Sequence, residues 1–316
     1  MALGTAHMTT TTHTKFIPEL WSDEVVAAYK SNLVLANLVT RMNHSGKKGD
    51  TIHIPKPTRG AASAKAAQTE VTLIAATETE LTISIDKHFE YSRMIEDILE
   101  KQALSSMRTF YTDDAGYALA KQADTHLWLQ AYTLGGGTIN TVSSGTTTDF
   151  GTAGTVIGSD GSTAFDAGND NAAALADAGI RKVIQTLDDN DIPMSDRFFV
   201  IPPVEKKNLT GLARFTEQAF VGEAGAGNSI RNGLVGDVYG IPVYVSTNCP
   251  TDTEGSQDAR LCLMAHKSAL VMAEQMSVRT QTQYKQEWLG DLFTADTIYG
   301  TGELRNDAGI KIAVVA

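Results

Sequence analysis

The segment from Pro57 to Thr79 is the feature that most restricts how this chain can fold. It is rich in alanine and other small residues. Its few large apolar residues are Val71, Leu73 and Ile74. The flanks, Thr51–Pro55 and Leu81–Asp86, alternate apolar and polar residues, which predicts two strands. A connection this long with so little to bury is unusual inside a compact domain. We therefore predict a projecting hairpin that needs a partner surface.

A second long segment, 92–133, has the pattern of one continuous helix. It contains no proline and a single glycine, Gly116. Its apolar residues recur at steps of three and four, which is helical spacing. About 40 residues at 1.5 Å each would make a rod of roughly 60 Å. Because the apolar positions do not keep a sustained heptad, a coiled coil is the weaker interpretation. We predict a spine helix that crosses an elongated subunit.

The rest of the chain alternates shorter signals. Residues 1–17 are polar and threonine-rich, which indicates an extended arm or a frayed terminus. A helix is expected from Pro18, because proline suits a first helical turn. Residues 138–170 suggest loops with short strands, and 215–230 a flexible glycine-rich stretch. Further helices are predicted at 171–187 and 204–212. Further strands are predicted at 197–201, 240–246, 260–265, 278–284, 297–304 and 310–315.

Composition excludes several classes of protein. With 316 residues the chain has room for about two domains at roughly 150 residues each. No apolar run approaches the ~18 residues of a membrane span, and the N-terminus lacks the pattern of a signal peptide. The formal net charge is −11, whereas proteins that bind nucleic acid directly usually carry a basic domain or patch. Two cysteines, Cys249 and Cys262, allow no disulfide framework.

No catalytic or cofactor-binding signature stands out. Phosphate-loop, dinucleotide, zinc-protease and nucleophile-elbow motifs are all missing. The seven histidines are scattered and are expected to be structural. Asp160, Asp166 and Asp170 could chelate calcium, but they lack EF-hand spacing, and a solvated loop is favoured. We expect no bound cofactor or metal and no enzymatic activity. An enzyme with an α/β core is the alternative that this absence argues against.

The order of elements resembles that of a tailed-bacteriophage major capsid protein with the Hong Kong 97-like fold. Four stretches carry the resemblance, which covers nearly the whole chain. They are Phe16-Ile-Pro-Glu-Leu-Trp-Ser-Asp-Glu-Val, Gly49-Asp-Thr-Ile-His-Ile-Pro-Lys-Pro, Gly236-Asp-Val-Tyr-Gly-Ile-Pro-Val-Tyr-Val-Ser and Ile298-Tyr-Gly-Thr-Gly-Glu-Leu-Arg-Asn-Asp-Ala-Gly-Ile. None of them is a catalytic signature, and their weight lies in their combination.

The resemblance implies an α+β fold with an N-arm, an extended β-hairpin loop, a long spine helix in a peripheral domain, and a mixed α/β axial domain. The implied divisions follow in chain order. They are 1–17 N-terminal arm, 18–49 N-terminal helical segment, 50–91 extended loop, 92–170 peripheral domain with the spine helix, 171–275 axial domain, and 276–316 C-terminal strands returning to the core.

The resemblance also implies a function. The chain is expected to self-assemble into an icosahedral shell of hexamers and pentamers that encloses double-stranded DNA without sequence-specific binding. Expected partners are identical subunits, a portal protein, a separate scaffolding protein because the first helix begins near Pro18, and a possible decoration protein, with no membrane. The expected location is the virion, after synthesis and assembly in the bacterial host cytoplasm. The alternative is an encapsulin-type cellular nanocompartment that encloses a cargo enzyme.

Candidate contacts between subunits lie on the extended loop and near the N-terminus. The loop carries a local basic cluster that is either a contact with a neighbour or phosphate, or a solvated face. The candidates are Lys56, Arg59, Lys65, Glu70, Glu78, Phe16 and Trp21. Some family members crosslink a loop lysine to a neighbour's asparagine. Lys56 and Lys65 lie in the corresponding region, but no motif identifies a partner, and no crosslink is expected.

Overall fold

The computed structural model describes residues 34–45, 49–57, 60–71, 73, 78–97, 106–136, 140–141, 148–149, 154–211, 236–252 and 257–316. In chain order they form α1 (Leu35–Leu38), β1 (Thr40–Asn43), β2 (Thr51–Pro57), β3 (Glu78–Ser84), β4 (Lys87–Glu96), α2 (Ser106–Ala131), β5 (Asn140–Thr141), β6 (Thr148–Asp149), β7 (Thr155–Ile157), α3 (Asp177–Asp189), β8 (Arg197–Ile201), α4 (Pro203–Gly211), β9 (Asp237–Val238), β10 (Ile241–Val245), β11 (Thr251–Asp252), β12 (Ala259–His266), β13 (Leu270–Lys285), β14 (Gly290–Glu303) and β15 (Gly309–Val315).

The predicted hairpin is confirmed. Strands β2 and β3 pair antiparallel in a register that sets Thr51 opposite Ser84 and Pro57 opposite Glu78. Alternation places Ile52 and Ile83 directly across from each other on one face. The connection between β2 and β3 contains residues 60–71, which are all exposed. We call residues 51–84 the finger.

The finger stands on a long, four-stranded sheet with the order β1-β13-β14-β4. Strands β13 and β14 form a hairpin that runs from the pair Leu270–Glu303 to the pair Lys285–Gly290. Strand β4 lies antiparallel to the outer half of β14. The prediction that residues 92–96 begin the spine helix is therefore wrong, since they continue β4. Phe89, Tyr91 and Ile95 alternate with exposed neighbours, so the period here is that of a strand.

The long helix exists, but it is shorter than predicted. Helix α2 spans 26 residues, Ser106–Ala131. It packs Ala115 and Leu119 against Ala295 of β14, while Leu127 and Trp128 enter the main core. A turn that includes Gly135, with a φ of 71°, ends the helical run soon afterwards. Left-handed backbone of this kind favours glycine, which explains why the Gly-rich stretch stops the helix here.

A second sheet forms the core of the other half of the chain. Its path is β7-β15-β12-β8-β10-β9, and β11 pairs with β12. All five residues of β8 are buried, as are most of those in β12 and β15, because these strands are covered on both faces. Helix α3 covers one face through Ile180, Val183 and Leu187. The expected strands and the helix near 204–212 are therefore confirmed.

Helix α3 begins later than predicted. Residues 171–176 carry an alanine-rich helical pattern, yet they form neither helix nor strand, and Ala176 has an extended backbone. The Leu175 amide donates to the Glu205 carboxylate at 2.9 Å, and the Ala176 amide donates to the Gly158 carbonyl at 3.1 Å. These tertiary hydrogen bonds, together with burial of Ala172 and Leu175, outweigh local propensity.

Three predicted features lie outside the described residues, namely the arm at 1–17, the helix from Pro18 and the glycine-rich stretch 215–230. No helix in the described part of the chain is both long and apolar enough to cross a membrane. Within the same residues, no group of three or more histidine, cysteine, aspartate and glutamate side chains could hold a metal ion.

Candidate inter-subunit surface

The base of the finger is fixed to the long sheet by a small apolar cluster. Ile83 and Ile85 are buried against Val271 and Ala273 of β13. The Ile85 amide also donates to the Asp50 carbonyl at 2.7 Å, which closes the base of the hairpin. These contacts connect the finger to the body of its own subunit.

A glycine in β14 permits this close seating. A Cβ atom at Gly300 would lie 2.3 Å from the Ser84 carbonyl oxygen, far inside any real contact distance. Gly302, two residues along, faces Ile83. The Tyr-Gly-Thr-Gly stretch of β14 is therefore the platform on which the end of β3 rests.

The outer part of the finger has no comparable support. Residues 60–71 are all exposed, and the chain reverses at a turn in which the Thr69 amide and hydroxyl both donate to the Ala66 carbonyl. Gln68 in this turn has a φ of 63°. On the returning limb Val71 is 68% exposed and Leu73 is 89% exposed. Large apolar side chains left in water in this way mark an interaction surface when they are clustered on one element.

The structure places the predicted contact residues along the finger without bringing them together. Lys56, Lys65 and Glu70 are exposed, and among the described residues none of the three has an ion-pair partner within 4.0 Å. Glu78 is the first residue of β3, opposite Pro57. Arg59, Phe16 and Trp21 lie outside the described residues.

A second exposed surface lies at the far end of the long sheet, and sequence reasoning missed it. Trp288 and Leu289 occupy the turn between β13 and β14 and are 64% and 65% exposed. Val278 and Tyr284 of β13 are exposed as well. Their alternation predicted a strand, and the only available signal of exposure was the polar Thr-Gln-Thr-Gln run between them.

This part of the sheet is held together laterally by charge. Asp296 of β14 accepts two hydrogen bonds from the Arg279 guanidinium of β13, at 3.1 and 2.8 Å, and lies 3.3 Å from Nε2 of His88 on β4. The hydrogen bonds from Arg279 hold the pKa of Asp296 below its usual range. The cluster spans three adjacent strands and fixes their lateral spacing.

Helix α2 contacts the long sheet through a histidine that packs among aromatic rings and forms a hydrogen bond with one of them. Nδ1 of His126 lies 2.8 Å from the hydroxyl of Tyr299, and the His126 ring lies 5.0 Å from that of Phe89. Burial lowers the pKa of His126 and raises that of Tyr299. His126 is thus a structural histidine, as expected.

Three other ionisable or polar groups are buried in the core. Fully buried Lys311 of β15 donates to the Tyr132 carbonyl just beyond the C-terminus of α2, at 2.8 Å. Cations are favoured at that end of a helix. The thiols of Cys249 and Cys262 are free and buried, and burial raises the pKa of both. Both therefore act as small apolar residues of the core.

Comparisons with known proteins agree with this architecture. The model of a family described as phage capsid protein matches residues 13–313. No curated protein gives a match.

Solved structures of phage proteins share the fold. A chain from Mycobacterium phage Che8 is similar with a TM-score of 0.73 and 23% identity, over 94% of this chain and 97% of that one. A chain from the capsid of the cyanophage P-SCSP1u gives 0.70 and 18%, over 95% and 94%. A chain from the mature capsid of bacteriophage PhiM1 gives 0.71 and 15%, over 99% and 96%.

These neighbours come from bacteriophages, two of them from capsids, so the nanocompartment alternative is not favoured. The family match covers nearly the whole chain, and the matched structures are spanned almost from end to end. The chain therefore belongs to the phage capsid protein family, and it is a tailed-phage major capsid protein with the Hong Kong 97-like fold, a subunit of an icosahedral shell.

Proposed function

We propose that the finger is the principal element through which copies of this chain hold one another in hexamers and pentamers of the shell. The observation that carries the proposal is the contrast between its two ends. The base is buried against β13 and β14, whereas the tip exposes Val71 and Leu73 to water. A neighbouring copy would supply the burial that the isolated chain lacks.

The predicted contact residues fit this role. Lys56, Lys65 and Glu70 are exposed along the finger and available to a neighbour. We include Arg59, Glu78, Phe16 and Trp21 in the proposal on the basis of sequence alone. Individual contacts of this kind are weak, and a closed shell gains its stability from the number of them on each subunit. The division into a peripheral domain at 92–170 and an axial domain at 171–275 likewise remains a prediction.

Other parts of the proposal concern what the shell encloses and meets. The net charge of −11 suits a container that holds double-stranded DNA without binding it tightly or reading its sequence. We propose a separate scaffolding protein, a portal protein and a possible decoration protein as partners, with assembly in the cytoplasm of the bacterial host. Co-expression of the chain with candidate scaffolding and portal proteins would test these partners directly.

Deletion of the finger tip tests the central proposal. Replacing residues 58–79 with a short turn should leave a folded chain that does not form closed shells, as judged by circular dichroism, light scattering and electron microscopy. A second variant, Val71→Ser with Leu73→Ser, keeps the full length and removes only the apolar side chains. It should assemble markedly less well than the natural chain. Normal shells from the deletion variant would remove the assigned role of the finger.

A further inference from the structure

The two cysteines of the chain face each other across a pair of strands. Strand β11 pairs antiparallel with β12 and sets Thr251 opposite Arg260. Cys249 lies two residues before Thr251. Cys262 lies two residues after Arg260, so the same register sets the two cysteines opposite each other.

The backbone between these two positions shows that the pairing continues past the start of β11. The Leu261 amide donates to the Pro250 carbonyl at 3.1 Å. Because hydrogen-bonded and non-hydrogen-bonded pairs alternate along an antiparallel ladder, Cys249 and Cys262 form a non-hydrogen-bonded pair. The Cα atoms of such a pair lie about 4.5 Å apart. A disulfide requires about 4.4–6.8 Å between Cα atoms, so this pair is spaced for one.

The two thiols are also neighbours within the core. Both are buried and belong to the main apolar cluster. Burial raises the pKa of Cys262, and the nearby Cys249 raises it further. Burial likewise raises the pKa of Cys249, while Arg260, on the same face of β12 as Cys262, counteracts that shift. The charges of this group therefore act on both thiols at short range.

The two cysteines differ in how a reagent can reach them. Thr247 is exposed, and Asn248 and Pro250 are half-buried, so the segment that carries Cys249 runs at the surface of the body. Cys262 lies within β12, which β8 and β15 border on its two sides. A reagent from solution therefore meets Cys249 first, and Cys262 only through it.

We propose that Cys249 and Cys262 are an oxidative modification site, at which a small-molecule disulfide converts the two thiols into one disulfide within the chain. The Cys249 thiolate attacks a sulfur of the reagent, which forms a mixed disulfide and releases one thiol. The Cys262 thiolate then attacks the Cys249 sulfur and releases the second. The reagent is reduced to two thiols, which take up the two protons that the cysteines lose.

The state of the pair follows its surroundings. Cytoplasmic thiols are kept reduced, whereas disulfides form and persist outside the cell. The chain is thus made as the dithiol and closes the bond after its release. This timing rests on the proposed assembly in the host cytoplasm, whereas the pairing of the two residues does not. Few thiolates form in the closed core, so the reaction is slow and follows local openings of the segment that carries Cys249.

The bond would fasten the segment between β10 and β11 to the second sheet. Asn248, the residue before Cys249, donates to Asp124 of α2. Tethering Cys249 to β12 therefore also keeps this segment in contact with the long helix. The closed loop restricts the unfolded chain, which stabilises the folded one. Oxidised particles should consequently resist heat better than freshly made ones.

Peptide mapping of natural particles tests the site. Particles are exposed to oxidised glutathione just below their melting transition, and free thiols are then alkylated under denaturing conditions. Trypsin cuts after Arg231, Arg260 and Lys267, which separates the two cysteines. Peptides 232–260 and 261–267 should appear joined by a bond that a reductant splits, in a chain that still runs as a monomer on a non-reducing gel. Two alkylated cysteines, or links between chains, would overturn the proposal.

A variant with the neighbouring pair of positions is the matched control. It combines Cys249→Ala and Cys262→Ala with Thr251→Cys and Arg260→Cys, the next non-hydrogen-bonded pair, which is half-buried. This pair should close faster, because the reagent reaches it more easily. If it closes under conditions that leave the natural pair alkylated, the natural cysteines are not a disulfide site.

Calorimetry tests the consequence of the bond. The melting temperature of oxidised natural particles should be higher than that of reduced particles by about 5 °C, and a reductant should reverse the change. The variant with alanine at 249 and 262 should not respond to either reagent. Equal melting of the oxidised and reduced natural particles would contradict the stabilising role. A failure of the proposed role of the finger looks different, since it concerns whether shells form without residues 58–79.

Discussion

Asp124, buried on helix α2, accepts a hydrogen bond from the side-chain amide of Asn248 at 2.8 Å. The same carboxylate accepts the Leu35 amide at 3.0 Å. Burial raises the pKa of Asp124, and the hydrogen bonds from Asn248 and from the amides of α1 counteract that shift. One side chain therefore joins the long helix to α1 and to the segment that follows β10.

Replacing Asp124 with alanine should destabilise the chain by about 3 kcal/mol, because it leaves two buried donors without an acceptor. Asn248→Ala should cost about 1 kcal/mol, since it removes a donor and leaves the carboxylate its other partners. Denaturant unfolding of the unassembled single and double variants gives the coupling energy between the two sites. A coupling energy near zero would show that the Asp124–Asn248 hydrogen bond does not couple α2 energetically to the segment that follows β10.

Gly300→Ala should weaken the seating of the finger. The added Cβ would meet the Ser84 carbonyl at 2.3 Å, so the end of β3 must move, at a cost of about 1–3 kcal/mol. We expect lower thermal stability and poorer shell formation.

Gly116→Ala is the matched control. Gly116 is exposed in the interior of α2, and a Cβ there would meet nothing within 4 Å. The same substitution should stabilise the chain by roughly 0.5–1 kcal/mol, because alanine is the better helix former. If both substitutions changed the free energy of unfolding in the same direction, Gly300 would not be needed for the close approach of β3 to β14.

Lys311 should make stability rise with pH in mildly alkaline solution. Burial lowers the pKa of Lys311 from 10.5 to about 8, so between these values the unfolded chain binds more protons than the folded chain. The burial penalty of the charged lysine is therefore relieved as pH increases through this window.

Lys311→Met isolates this effect, because the buried cysteines and Tyr299 titrate alike in both chains. Relative to the variant, the natural chain should gain roughly 3 kcal/mol in the free energy of unfolding between pH 7.5 and 10.5. Parallel curves for the two chains would mean that Lys311 keeps its ordinary pKa in the fold.

His126 should make the contact between α2 and the sheet sensitive to mild acid. The pKa of His126 is lowered, chiefly by burial and also by the nearby Lys87, while Asp86 acts in the opposite direction. Stability from the neutral ring is present above pH 6.5 and is lost as pH falls through the folded value.

A His126→Gln variant has no imidazole to titrate. From pH 7 to pH 5 the natural chain should lose more thermal stability than this variant does, as measured by calorimetry. A greater loss in the variant would show that protonated His126 is accommodated in the fold.

Much of the architecture was predictable from local patterns. Ile52 and Ile54 against Leu81 and Ile83 predicted the paired strands, and the small residues between them predicted a projection. The four apolar residues that follow Arg197, at 198–201, predicted a buried strand. These signals are periodic and local, so they can be recognised in the sequence without knowledge of tertiary contacts.

The errors came from long-range contacts. Residues 92–96 fit a helical spacing through Ile95, but β14 offers them a ladder from Gly290 to Thr294. Residues 171–176 would favour a helix, but Glu205 binds the Leu175 amide. Strand β1 was missed because its four residues gain order only by pairing with β13. The exposure of Trp288 depends on what the fold leaves uncovered, which no local pattern encodes.

The contact of Ser84 with Gly300 has a mechanical consequence. A pull on the finger would be transmitted through this contact to β14, and from β14 through its ladder with β13 to the long sheet. Force would then run along the strands, so that many hydrogen bonds resist sliding at once instead of breaking one after another. The finger and the long sheet of one subunit would therefore carry a load together.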